Sequence, residues 1–329
     1  MRSDHLALLT AAVVEGAARS TTLAARAGAT PAAAGTALQE LADQGLVAAS
    51  DDRTWRVTAA GRDAFYEMLG RVGDVLAPSR KRASLPFTVR TRWRECLCFN
   101  YLVDPDVLRG LLHPTFEPVL VNGRGIISAA AATLSSMRPA GMPDLVGKNF
   151  CHVTFRAVVR FRNAAGETRV GYAFVRALTN SKLLSTVANN VTEFRFHDFE
   201  TAAITFLEQG GRLVLGVDGG EKLVAAVDLA TARQDPPATC AFATRAELDA
   251  QVLDHADSFG ADDKADGVYV LSIERGAWHY RFVEPADLYC SYFQSGDPFD
   301  ESTAQLDSVL HCREIDYRWH PLRIEARFS

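Results

Sequence analysis

Three histidines, a run of alternating polar side chains and two closely spaced cysteines are the residues of this chain that could do chemistry. In NFCHVTFRAVVRFR, residues 149–162, Cys151, Val153, Phe155, Ala157, Val159 and Phe161 fall on one face of an extended chain. His152, Thr154, Arg156, Arg160 and Arg162 fall on the other, with Val158 among them. Period-two alternation marks a strand with one buried face. It leaves open whether the His-Thr-Arg face looks at water or into a cavity. Arg160 and Arg162 lie near the strand end and are read as solvated. His152, His279 and His311 sit on separate expected strands, and imidazoles titrate near neutral pH. Each could be the general acid or base of a lyase, isomerase or cyclase step, or a hydrogen-bonded structural histidine. Cys96 and Cys98 point the same way on one strand, but a lone Cys-x-Cys has no second half for zinc. They are read as packed apolar groups, and no metal site is expected. GVDGGEK has the wrong glycine spacing for a phosphate loop, and no Ser-His-Asp signature stands out, so no cofactor is expected.

The elements that must position these residues divide the 329-residue chain in two. Net charge is −5, the six cysteines have no disulfide-like spacing, and no stretch approaches a signal peptide or membrane span. A cytoplasmic protein with reduced thiols is the expectation. Residues 1–75 read as helices and a hairpin. STTLAARAG is a helix with Ser20 as its N-cap and Gly28 past its end. TPAAAGTALQELADQG is another, with Thr30 as N-cap, Pro31 in first position and Gly45 as terminator. LVAAS and TWRVT form two strands around a charged turn. This order, and LADQGLV…WRVTAAG most of all, resembles the winged helix-turn-helix of MarR-like regulators.

DNA binding needs a basic footprint. Residues 1–70 carry six arginines against eight acids, a net of −2, and the recognition-helix segment from Pro31 to Gln44 has no Lys or Arg. Thr36 and Gln39 are its candidates for base edges. Arg53, Arg56 and the linker bases Arg80, Lys81 and Arg82 are the candidates for phosphates. Winged helices also serve purely as dimerisation modules, as at the N-terminus of some bacterial small-molecule methyltransferases, which this segment also resembles.

Beyond a basic linker over residues 76–91, residues 92–329 read as many short strands with few helices. That pattern argues for α+β with a large, closed or nearly closed antiparallel sheet. EQGG and ERGA are expected hairpin turns, and TRAELDAQVLDHADSF an expected helix opened by Thr244. RWRECLCFNYLVDPDVLRGLL, MRPAGMP, FCHVTFRAVVRF, GYAFVRALTNSKLL and ATRAELDAQVLDHADSF…GVYVLSIERGAW occur in that order. Together they resemble the acetoacetate-decarboxylase-like superfamily, in its uncharacterised bacterial branch.

The resemblance implies a curved sheet around a deep, largely apolar pocket for small oxo-acids or similar molecules. In the family, the strand matching FCHVTFRAVV carries a Glu, a polar residue and an Arg facing the lumen. His152, Thr154 and Arg156 would occupy those positions. A buried Arg stripped of its partner costs roughly 3–5 kcal/mol, so Arg156 would need a ligand carboxylate or an internal acid such as Glu314 or Asp316. Arg138 of MRPAGMP and Lys182 complete the expected ligand-binding set. The family's decarboxylases use a Schiff-base lysine, usually one of an adjacent pair, lowered in pKa by an apolar pocket and a neighbouring cation. The five lysines here, Lys81, Lys148, Lys182, Lys222 and Lys264, include no adjacent pair, and EFRFHDFETA, where the pair is expected, has none. A Schiff-base decarboxylase is therefore not expected. The leading expectation is a homodimeric, ligand-responsive transcriptional regulator sensing a small acidic or carbonyl metabolite, with double-stranded DNA as second partner and no membrane association. The alternative is an enzyme of specialised metabolism using acid–base chemistry in the same pocket, its winged helix serving only to dimerise.

Overall fold

A computed structural model describes residues 3–15, 17–50, 54–65, 87–186, 188–189, 199–262 and 267–326, in two units. The first comprises Met1–Ser79, Pro86–Thr91 and Ser136–Asn149; the second comprises Arg80–Leu85, Arg92–Ser135 and Phe150–Ser329.

In the first unit the order is α1 (Ser3–Glu15), β1 (Ala17–Arg19), α2 (Ser20–Ala27), α3 (Pro31–Asp43), β2 (Val47–Ala49), β3 (Thr54–Val57) and α4 (residues 59–65). The strands form an antiparallel sheet in the order β1-β3-β2. Thr30 caps α3, its hydroxyl accepting from the Ala33 N–H at 3.3 Å, with Pro31 in the first turn. Gly28 ends α2 in the left-handed region at φ 67°. Ser20 is not the cap expected from the sequence. Arg19 stands there without a side-chain cap, because residues 17–19 are drawn into pairing with β3 and the helix leaves directly from the strand. Leu8, Leu9, Leu23, Leu38 and Leu41 fill the core with small alanines between them, and Leu145 packs against it. His5 of α1 reaches Glu40 of α3 at 2.5 Å. Gly61 is required by close approach, since a Cβ there would overlap the Leu46 carbonyl.

The second unit is built on one mixed sheet. Its strands are β4 (Val89–Val103), β5 (Glu117–Pro118), β6 (Leu120–Val121), β7 (Arg124–Pro139), β8 (Lys148–Arg162), β9 (Thr168–Thr179), β10 (Phe199–Thr201), β11 (Ala203–Gln209), β12 (Arg212–Asp218), β13 (Lys222–Arg233), β14 (Asp257–Asp262), β15 (Gly267–Arg275), β16 (Tyr280–Cys290), β17 (Ala304–Trp319) and β18 (Arg323–Ala326). Short helices interrupt them: α5 (Pro105–Leu111), α6 (Lys182–Thr186), α7 (Arg245–Leu248) and α8 (Ser291–Gln294). The order is β11-β12-β13-β16-β17-β4-β7-β8-β9-β14-β15-β18, and a further β17–β15 pairing closes β17, β4, β7, β8, β9, β14 and β15 into a barrel. Closure removes sheet edges from the part of the fold that carries the polar face of β8. The odd-numbered face of β8, Val153 to Phe161, packs outward into a large apolar core with Phe99, Leu215, Ala225 and Phe293.

Three expectations are corrected. The sheet is mixed, because β14 and β10 run parallel to β9. TRAELDAQVLDHADSF is not one helix. Thr244 does cap α7, in a full capping box with Glu247, but a π turn over Asp249–Leu253 follows, and Asp257 onward becomes the strand that closes the barrel. Backbone pairing on both sides of β14 outweighs the helical propensity of a short segment. ERGA is no hairpin: β15 and β16 do not pair with each other but both pair with β17. EQGG does turn a hairpin, with Gly210 and Gly211 both at positive φ. Among the described residues no helix is long and apolar enough to cross a membrane.

Candidate functional site

His152, Thr154 and Arg156 are all buried, on the face of β8 opposite the apolar core. Their neighbours come from strands across the barrel, so this face is the barrel interior. Irregularities aim the side chains that meet there. The β8–β9 register shifts between Phe155 and Arg156. On β17, Cys312 and Tyr317 are both buried although five residues apart, with Glu314 between them at φ 55°. On β4, Trp93 and then Cys96 and Cys98 are buried, a change of phase around Arg94–Glu95. Such bulges turn a strand's side chains from one face to the other.

The Arg156 guanidinium lies 4.6 Å above the Tyr172 ring and 5.9 Å from that of Trp278. Trp93 stacks on Tyr317 at 4.4 Å and meets His152 edge-on at 5.3 Å and Trp278 at 6.1 Å. Arg156 is 5% exposed, and its Nε and Nη2 find no acceptor in the protein. Those two N–H groups share one edge of the guanidinium, the fork that matches the two oxygens of a carboxylate. Trp93 Nε1, Trp278 Nε1 and His152 Nε2 are likewise buried without a protein partner. Each buried, unsatisfied group costs roughly 1–3 kcal/mol. The acids considered from the sequence do not meet Arg156: Glu314 accepts from Arg94 at 3.0 Å and Asp316 from Arg92 at 2.8 Å, all on the exposed surface.

Burial, with Arg156 as a second cause, lowers the His152 pKa to about 3, so at neutral pH the imidazole is uncharged. The Tyr172 hydroxyl donates to the Val252 carbonyl at 2.6 Å, and burial raises its pKa. Cys96 and Cys98 lie with their sulfurs 3.7 Å apart. Burial of Cys96, and for Cys98 first the hydrogen bond to Cys96 and then burial, pushes both pKa values far up and keeps them as thiols.

The other residues singled out in the sequence lie elsewhere. The Arg138 guanidinium stitches its own loop, donating to Met142 O at 2.9 Å and Ser136 O at 2.6 Å and pairing with Asp144. Lys182 is exposed at the start of α6, and His279 is exposed between β15 and β16. His311 pairs with Glu95, which also holds Arg313. Thr36 and Gln39 are exposed on α3, with Gln39 donating to Asp43 at 3.0 Å, and Arg56 is exposed on β3. Arg53, Arg80, Lys81 and Arg82 lie outside the described residues. Trp93, Tyr172, Trp278 and Tyr317 were not singled out from the sequence. For Trp93 the alternation of RWRECLCF was a signal; for Trp278, placed beside an expected turn, there was none.

The topology of the large sheet defines a class of protein: it has an acetoacetate-decarboxylase-like fold. A crystal structure of acetoacetate decarboxylase from Legionella pneumophila superposes with a TM-score of 0.52, at 12% identity, over 75% of this chain and 91% of that one. An acetoacetate decarboxylase-like enzyme from Sphingomonas wittichii gives 0.49, at 11% identity, over 74% and 94%. The enduracididine biosynthesis enzyme MppR, solved with HEPES bound, gives 0.47, at 15% identity, over 77% and 91%. The chain itself belongs to the DUF2071 family, described as an uncharacterized conserved protein, whose profile matches residues 90–316. No curated protein matches it.

Proposed function

We propose that the barrel interior binds a small molecule bearing a carboxylate and a carbonyl, and that the protein is an enzyme acting on it by acid–base chemistry. The observation that carries this reading is the buried Arg156 fork without a protein acceptor. In this scheme Arg156 takes both oxygens of the carboxylate and the indole N–H groups of Trp93 and Trp278 donate to the carbonyl oxygen. Neutral His152 accepts a proton from the carbon next to the carbonyl, leaving an enolate whose oxygen the same donors stabilise. A bound anion offsets the Arg156 charge that depresses His152, so ligand binding itself makes the imidazole more basic. Thr154 completes the wall between them. A Schiff-base route is not part of the proposal: Lys148, Lys182 and Lys222 are exposed, and Lys81 and Lys264 lie outside the described residues. The test is calorimetry with pyruvate and acetoacetate, with deuterium exchange at pyruvate C3 in D2O followed by proton NMR. Binding and exchange that both vanish in Arg156→Met support the reading. Neither binding nor exchange in the wild type sinks it.

A second reading is a ligand-responsive regulator in the cytoplasm, with domains at 1–75 and 92–329 joined by the linker 76–91. What supports it is the order α1-β1-α2-α3-β2-β3 in the first unit, which resembles the order expected of a winged helix. A homodimer would then present Thr36 and Gln39 to base edges and Arg53, Arg56, Arg80, Lys81 and Arg82 to phosphates. The test is binding to the protein's own upstream DNA at low salt. No binding above background removes this reading, leaving dimerisation as the first unit's role.

A further inference from the structure

Residues 276–279 interrupt an otherwise continuous ladder. β15 pairs with β17 through Ile273↔Trp319, Glu274↔Arg318 and Arg275↔Tyr317, and β16 resumes on β17 through Tyr280↔Cys312, Arg281↔His311 and Phe282↔Leu310. The register is unchanged across the gap, and the Gly276 N–H still donates to Asp316 O at 3.0 Å. The four residues are therefore a flap set into the barrel wall, opposite the positive-φ residue Glu314, and not a slip of the strand. Within the flap Gly276, Ala277 and His279 are exposed and Trp278 alone is buried. Its indole lies over Arg156, edge-on to Trp93, with its N–H unmatched by any protein acceptor.

Two arginines hold the flap where ladder bonds do not. Arg245 donates from Nη2 to the Trp278 carbonyl at 3.0 Å and lies 3.8 Å over the Tyr280 ring. The Arg275 guanidinium sits 5.1 Å from the indole centroid and bonds to the Leu253 carbonyl. Swinging Trp278 outward breaks no strand register and gives its N–H to water. The donors of the interior, Arg156, Trp93 and Trp278, are all buried, so a ligand for Arg156 needs such a passage.

We propose that Trp278 is the door of the barrel interior, latched by Arg245, and that when shut it donates its indole N–H to the bound molecule. The door stands on the strand geometry alone; the donation rests on the ligand reading of Arg156. Access can be read without any ligand, because Cys96 and Cys98 line the interior whereas Cys290 is buried in the separate apolar core. N-ethylmaleimide labelling of the full chain, mapped by mass spectrometry, should be about tenfold faster at Cys98 in Trp278→Ala and in Arg245→Met, with Cys290 unchanged. Trp278→Phe keeps the ring and should label like the wild type while its affinity for pyruvate falls about tenfold. Unaltered Cys98 labelling in both Trp278→Ala and Arg245→Met, or acceleration at Cys290 in step with Cys98, overturns the door. A wild type that does not bind pyruvate refutes the ligand reading and the donation, while the labelling still decides the door.

Discussion

Replacing Arg156 by methionine should make the ligand-free protein more stable, not less. The substitution keeps an unbranched side chain in the barrel and removes a buried cation whose Nε and Nη2 have no acceptor in the protein. Two such groups cost roughly 2–6 kcal/mol together. The ring contacts with Tyr172 and Trp278 return part of this, about 1–4 kcal/mol for a desolvated guanidinium against two aromatic faces. The net expectation is a gain of about 1–2 kcal/mol, and for a domain of this size a rise in Tm of roughly 2–8 °C. Urea denaturation and differential scanning fluorimetry measure both, with and without pyruvate. Wild type should be stabilised by pyruvate and Arg156→Met should not respond to it. A loss of more than about 2 kcal/mol in Arg156→Met would mean that the guanidinium is a structural tie. The argument from unmatched donors would then be wrong.

His152 makes stability pH-dependent. Its folded pKa is lowered to about 3, whereas an unfolded histidine titrates near about 6.5. The unfolded chain therefore binds more protons between these values. This contribution is complete above pH ~6.5 and is lost as pH falls toward 3, at up to about 1.4 kcal/mol per unit. Unfolding free energies from urea denaturation at pH 6.5 and 5.0 should differ by about 1.6 kcal/mol more in wild type than in His152→Gln, and equal differences would refute the assignment. Gly61→Ala should cost about 1–3 kcal/mol in the first unit, because its Cβ would overlap the Leu46 carbonyl; a neutral result in thermal unfolding would contradict that close approach. Borohydride trapping with acetoacetate should leave Lys182, exposed on α6, unmodified, and a mass-spectrometric adduct there would reverse the argument against Schiff-base chemistry.

The alternation of β8 was legible because period two is written in residue types: Val153, Phe155, Ala157, Val159 and Phe161 against His152, Thr154 and Arg156. Capping at Thr30 and Thr244 was legible for a similar reason, since a cap is a local bond between near neighbours. Ser20 escaped because the residues before it pair with Trp55 and its neighbours, more than thirty positions away in the chain. Strand order and closure are long-range facts of the same kind. The merging of β15 and β16 along β17, and the conversion of DHADSF from helix to barrel strand, depend on which backbones lie alongside them. The sequence could place Arg156 on a polar face but could not decide between a ligand and Glu314 or Asp316 as its partner. Tertiary structure commits those two acids to Arg94 and Arg92 at the surface. It also brings Trp93, Trp278, Tyr172 and Tyr317, spread over more than two hundred residues, around one guanidinium. Local propensity and periodicity act over a few residues and can be read from them, whereas a buried charge is matched or left unmatched by whatever the closing of the barrel brings against it.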